Sequence, residues 1–309
     1  MATFGAPTIF AITIIVLVGL AGGAFWRGRV ENRPYAVPLL LLSVLPSFLI
    51  LGLMYLFRNR STAPTPLVGF MYLFGVVLAV PVALLEAALE GMVFPKTPVP
   101  EAPSMTRQFL LAAALAFGIV AFLEESLKMI LVWARARRAD VFCTEYGILV
   151  LALAGSLGFA TLENASYVLS TQSTVDVAFL TVLIRGCLSV PVHAVCGILI
   201  GEGVARMLRH PRSFACGQCG AALTVFLPPW LLHGTYDWLL MAPDTLTPNN
   251  PTLTMAGFIL AGAVVIVGLG LARWRIVALL RRSKGEEPEC KASEWPSLEA
   301  FEESTTCLG

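Results

Sequence analysis

The stretch Phe109–Trp133, FLLAAALAFGIVAFLEESLKMILVW, is long and apolar enough to cross a bilayer, yet it carries Glu124, Glu125 and Lys128. Seven further runs of roughly 20 apolar residues flank it. They lie near Ala6–Phe25, Pro38–Phe57, Leu67–Leu89, Tyr146–Leu169, Ala178–Met207, Ala221–Met241 and Leu253–Ala272. The expected fold is therefore an all-α, polytopic transmembrane bundle of about eight spans. Composition agrees: of 309 residues 57% are apolar and 13% charged, with mean hydropathy +0.79. Soluble domains carry about 25% charged residues, so a water-soluble globule is excluded. A net charge of +1 excludes a basic nucleic-acid footprint.

The chain divides into three N-terminal spans (1–107), a polar-residue-bearing core of four spans (108–242), a last span with a basic end (243–284) and an acidic, disordered tail (285–309). Ala6–Phe25 lacks a basic start and a small-residue cleavage site, so it reads as a first helix rather than a leader. Pro191 in the long sixth run is expected to kink or break it. The prolines of Pro95–Ser104 make an extended connection. Arg58, Arg60, Arg135, Arg137, Arg138, Arg206, Arg209, Arg212 and the group Arg273–Lys284 fall on one side, which places both termini in the cytosol. Arg27, Arg29 and Arg33 of the first hairpin disagree; the later loops decide.

The seven cysteines are odd in number and scattered; Cys187 and Cys196 fall inside an apolar run. Cys216-Gly-Gln-Cys219, near His210 and Cys143, supplies two thiols where a structural zinc site wants four ligands, so it reads as a tight turn or a weak second metal candidate. Cys307 stands one residue too near the end for a prenylation box.

The ionisable residues inside the spans carry the functional information. A charge at mid-bilayer costs from about 2.5 to more than 10 kcal/mol, so such groups turn inward and pair. Besides the first trio these are Glu163 and Asn164, Arg185 and His193, and His233 and Asp237. Glu86 and Glu90 sit near a span end and read as rim residues. Glu124 and Lys128, at i and i+4, form a pair on one helix face. Glu125, about 100° around the helix, is left without that partner. His233 and Asp237 also share a face, so the carboxylate orients the imidazole or both ligate one metal. Gly155, Gly158 and Gly197, with Ala152, Ala154 and Ala160, permit close helix approach. A Glu–Lys pair or a lone histidine also serves plain packing; two histidines with three glutamates and an aspartate on consecutive spans are harder to explain that way.

Read in order, the polar set is Phe-Leu-Glu-Glu-Ser-Leu-Lys (Phe122–Lys128), Phe-Ala-Thr-Leu-Glu-Asn (Phe159–Asn164), Arg185, His-Ala-Val-Cys-Gly (His193–Gly197) and His-Gly-Thr-Tyr-Asp (His233–Asp237). It resembles the PrsW family of intramembrane proteases, within the superfamily of CAAX-processing and bacteriocin-processing membrane enzymes. That family's motifs E-E-x-x-K, F-x-x-x-E-N, H-x-x-x-G and H-x-x-x-D all appear here in order. The resemblance implies an endopeptidase that cleaves a membrane-anchored protein at or near the bilayer, as in shedding of a bacterial anti-sigma factor. It assigns Glu124, Glu125, Glu163, His193 and His233 to catalysis, with Lys128, Asn164, Arg185 and Asp237 in support. The first three spans and the tail lie outside it.

Peptide hydrolysis needs an activated water, a stabilised oxyanion and a proton donor for the amine. The two imidazoles either donate to the oxyanion or hold a divalent metal, with Zn²⁺ the expected ion and His193, His233 and Glu163 (or Glu125 or Asp237) its ligands. A metal-free glutamate mechanism stays open, because the H-E-x-x-H signature is absent. A transporter, or a binder without catalysis, would also carry midplane charges. Against transport, no internal repeat stands out; against a mere binder stands the complete polar set.

Overall fold

The structure is a computed structural model, and it describes residues 35–56, 65–93, 104–136, 144–170, 175–209, 218–246 and 250–283. The first expected span, the Pro95–Ser104 connection up to residue 103, Cys143, His210, Cys216 and the acidic tail lie outside the described residues. The described elements are all helices. They are α1 (Ala36–Leu56), α2 (Thr65–Val93), α3 (Met105–Ala136), α4 (Glu145–Ser170), α5 (Val175–Cys187), α6 (Ser189–Arg209), α7 (Gln218–Leu246) and α8 (Pro251–Ser283).

Among the described residues six segments are long and apolar enough to span a membrane: α1, α2, α3, α4, α5 continued by α6, and α8. The eight-span expectation therefore reduces to six here. Its first run lies outside the described residues, and α7 falls short in composition. Pro228, Pro229, Trp230, His233 and Asp237 interrupt the apolar run of α7, although it packs inside the bundle against α6, α8 and α3.

Helix α4 forms the axis, with 94% of its span buried. Its two neighbours approach through glycine. A Cβ on Gly158 would stand 1.9 Å from the Tyr72 carbonyl oxygen of α2, and one on Gly75 would stand 1.9 Å from the Gly155 carbonyl oxygen. Towards α6, a Cβ on Gly201 would lie 2.6 Å from Leu149 Cα. Without a hydrophobic drive between helices in lipid, such backbone contact supplies the packing attraction. Tyr72 closes the seam by donating to Thr161 Oγ1 at 2.7 Å, while Thr161 donates to the Leu157 carbonyl at 2.8 Å. Gly158→Ala is expected to destabilise the fold by about 3 kcal/mol, since backbone must move. Gly118→Ala, with nothing within 4 Å of its Cβ, is the control; thermal unfolding in detergent compares them.

The long sixth run breaks as its proline demands. Pro191 has no N–H for the Cys187 carbonyl and its ring crowds that oxygen. The chain turns at Leu188 and restarts as α6, with Pro191 in the first turn.

One irregularity was not foreseen. Residues Ala114–Ala121 of α3 form a π-helical segment, immediately before Phe122-Leu-Glu-Glu. One extra residue in such a turn rotates the helix beyond it by roughly 100°. Helix α7 holds this segment in place. Trp230 Nε1 donates to the Phe117 carbonyl at 2.8 Å, and the two rings meet edge to face at 5.8 Å. Gly234 admits the Phe117 ring, because a Cβ there would lie 2.3 Å from Phe117 Cδ1. The stretch that carries His233 thus also clamps the segment that sets the orientation of Glu124 and Glu125.

Candidate active site

Three helices bring one ligand atom each from Glu124, Glu125, His193 and His233 to within 4.8 Å of one another, and all four residues are buried. Glu124 and Glu125 come from α3, His193 from the start of α6 and His233 from the middle of α7. The imidazoles meet edge to face, with centroids 4.9 Å apart.

Lys128 ties the group together. Its ammonium donates to Glu124 Oε2 and Glu125 Oε1, both at 2.8 Å, and contacts His193 Nδ1 at 2.9 Å. The expectation that Glu125 lacks this partner is therefore corrected. Lys128 is i+4 from Glu124 and i+3 from Glu125, and its long stem brings the ammonium between the two carboxylates. Phe159 lies below, with its ring centroid 4.3 Å from the Lys128 nitrogen. Two buried carboxylates therefore face one buried cation, which offsets part of their desolvation.

Each imidazole is braced on its far side. His193 Nε2 lies 2.7 Å from Glu163 Oε2, and His233 Nε2 lies 3.3 Å from Asp237 Oδ2. Because Glu163 and the lysine ammonium respectively accept and donate, His193 is assigned as the Nε2–H tautomer with its Nδ1 lone pair towards Lys128. His233 Nδ1 lies 2.7 Å from Glu125 Oε1.

Glu163 stands outside the four-atom group. Arg185 donates to Glu163 Oε1 at 2.6 Å, to Asn164 Oδ1 at 2.9 Å and to Ser189 Oγ at 3.1 Å. Its guanidinium stacks on Tyr167, 3.7 Å from the ring centroid. Asn164 also reaches the Ser43 carbonyl of α1 at 3.5 Å. Arg185 on α5 thus anchors the carboxylate on α4 that braces the histidine on α6.

The sequence reading quoted Phe159 within a motif but gave it no role, and it missed Tyr167, Ser189 and Trp230. Its place follows from spacing: Phe159 sits at i−4 from Glu163, on the same face. Glu90 is exposed, as a rim residue should be. Glu86 departs from that reading: one of its oxygens is buried without a hydrogen-bond partner. Cys219 lies in the first turn of α7.

The donor set suits a metal. Both imidazoles point Nδ1 into the group, His193 towards Lys128 and His233 towards Glu125, with the carboxylates of Glu163 and Asp237 facing their Nε2 atoms, the side from which outer carboxylates orient metal-bound histidine. Glu125 Oε2 is buried without a hydrogen-bond partner, and Asp237 Oδ2, at ion-pair distance from His233 Nε2, makes no hydrogen bond, so the group has acceptor capacity to spare.

Carboxylates, imidazoles and an ammonium gathered inside apolar helices are the equipment of a hydrolase that works within the membrane. Residues 63–269 match the family described as PrsW family intramembrane metalloprotease. Protease PrsW of Geobacillus kaustophilus is 31% identical over 203 residues, covering 65% of this chain and 79% of that protein. Protease PrsW of Shouchella clausii is 30% identical over 208 residues (66% and 84%), and that of Bacillus subtilis 28% over 199 residues (64% and 81%). No solved structure matches. The chain belongs to the PrsW family of intramembrane proteases, an integral multi-pass membrane protein.

Proposed function

We propose that this protease cleaves a membrane-anchored protein with Glu125 as the base, and that Glu124, Glu125, His193 and His233 hold a divalent metal, Zn²⁺ by ligand preference. The convergence of those four side chains within 4.8 Å carries the reading. When bound, such an ion polarises the scissile carbonyl and lowers the pKa of water.

The remaining work falls to the chain. Glu125 has one oxygen engaged by Lys128 and His233 and the other free; the free oxygen is placed to take a proton from water and return it to the leaving amine. Lys128 keeps the two glutamates at a common site. Arg185 and Asn164 fix Glu163, which fixes the ring plane of His193; Asp237 stands at ion-pair distance from His233 Nε2. The apolar walls exclude bulk water, which strengthens each of these interactions. Glu163 is a positioning residue in this scheme. The excess of arginine on the side of residues 135–138, 206–212 and 273–284 supports cytosolic termini.

Elemental analysis of the purified chain tests the metal. Zinc is expected at about one ion per chain, removed together with activity by a chelator and restored with it by added Zn²⁺. Cleavage of a co-expressed single-span reporter that persists unchanged under chelation would leave the glutamates and histidines to work without an ion.

A further inference from the structure

Away from the protease site, a second polar group sits where α4, α6 and α8 end together. Glu202 of α6 is buried, 8% exposed. Its Oε1 accepts from Arg275 Nη1 of α8 at 3.0 Å and pairs with Arg206 Nη2 at 3.4 Å. Glu145 at the start of α4, Trp274 and Leu279 complete the walls of a cleft with about 50 Å³ of free volume. A buried water needs about 10–15 Å³ on this measure, so the cleft is roomy rather than a packing defect.

Three atoms of the residues lining it are buried with no hydrogen-bond partner: Glu202 Oε2, Arg206 Nε and Arg275 Nε. One acceptor and two donors are thus left over, and buried polar atoms are seldom left so. Their charges also balance, two arginines against Glu202 and Glu145. The cleft lies at membrane-interface depth: Glu145 opens its span, Arg206 is near the end of another, and Trp274, 61% exposed, stands as interfacial tryptophans do. Arg275 rests against that indole, 4.9 Å from its centroid.

We propose that this cleft binds the headgroup of a zwitterionic phospholipid bearing a primary ammonium, with the phosphate on Arg206 and Arg275 and the ammonium on Glu202 Oε2. A neutral cleft with both signs suits a neutral headgroup with both signs. The unpaired Glu202 oxygen demands an N–H donor, which phosphatidylethanolamine has and phosphatidylcholine lacks; phosphatidylglycerol brings no cation. The site is independent of the proteolytic mechanism.

Native mass spectrometry of the full-length protein in detergent, titrated with each of the three lipids, tests it. Phosphatidylethanolamine is expected to bind about tenfold more tightly than either competitor, the worth of one charge-assisted hydrogen bond. Glu202→Gln is expected to erase that preference, and Arg206→Gln to weaken phosphatidylethanolamine binding. Soluble phosphoethanolamine, added at the same concentration, is expected to compete poorly because it lacks acyl chains. Equal binding of phosphatidylethanolamine and phosphatidylcholine to the unmodified protein would overturn the proposal, leaving the cleft to water, and needs no variant to fold. Equally tight binding of soluble phosphoethanolamine would overturn the membrane as the source.

Discussion

Glu125→Gln is expected to lower cleavage by roughly 10³-fold, the middle of the range for losing a general base, while the protein remains inserted and folded. The side chain is fully buried with one oxygen held by Lys128 at 2.8 Å and His233 at 2.7 Å. Glutamine keeps the shape and an acceptor for those two partners, so the packing survives better than the chemistry. Glu163→Gln is expected to abolish cleavage by another route: it weakens the bond to His193 Nε2 and the pair with Arg185, releasing the imidazole. A reporter cleaved at normal rates by both variants would reduce the glutamates to packing. For Glu124→Gln stability is the first readout. Glu124 and Glu125 share the Lys128 ammonium equally, so thermal unfolding of both glutamine variants is compared before their rates are.

His193→Ala and His233→Ala are each expected to cost roughly 100-fold or more in rate and to lose zinc stepwise. Each ring offers Nδ1 to the shared group while a carboxylate braces its Nε2. Asp237→Asn, which touches only the brace, is expected to weaken metal affinity by about 10- to 100-fold without removing a ligand. Elemental analysis and a competitive zinc titration check all three. Stoichiometric zinc that survives both alanine changes would place the ion elsewhere, with Cys216 and Cys219 as the remaining thiol pair. Rates that fall while chelators have no effect would leave the imidazoles as hydrogen-bond donors to the oxyanion.

Most of the candidate site was legible one helix at a time. The cost of a charge in lipid forces Glu124, Glu125, Glu163, His193 and His233 inward whatever the detailed packing, and helical periodicity puts Glu124 with Lys128 and His233 with Asp237. Apolar length alone marks α1, α2, α3, α4 and α8 as spans, and Pro191 marks the break between α5 and α6. These conclusions need only the local period of a helix and the solvent it sits in.

Which group meets which across helices was settled by the fold. Rotation and depth of one helix against another follow from close backbone contact, here at Gly75, Gly158 and Gly201, and glycine spacing does not state which carbonyl it will meet. The partners Glu163 for His193, Glu125 for His233 and Lys128 for both α3 glutamates depend on those settings. Periodicity also fails where the helix itself changes pitch. The π-helical segment Ala114–Ala121, clamped by Trp230 and Gly234, rotates everything after it, and nothing in its run of small and apolar residues announces the extra residue per turn. The expectation that Glu125 stood alone failed for a related reason: an angle of about 100° separates two Cβ atoms, but a four-carbon lysine stem spans it once the walls of α4, α6 and α7 close around the ammonium.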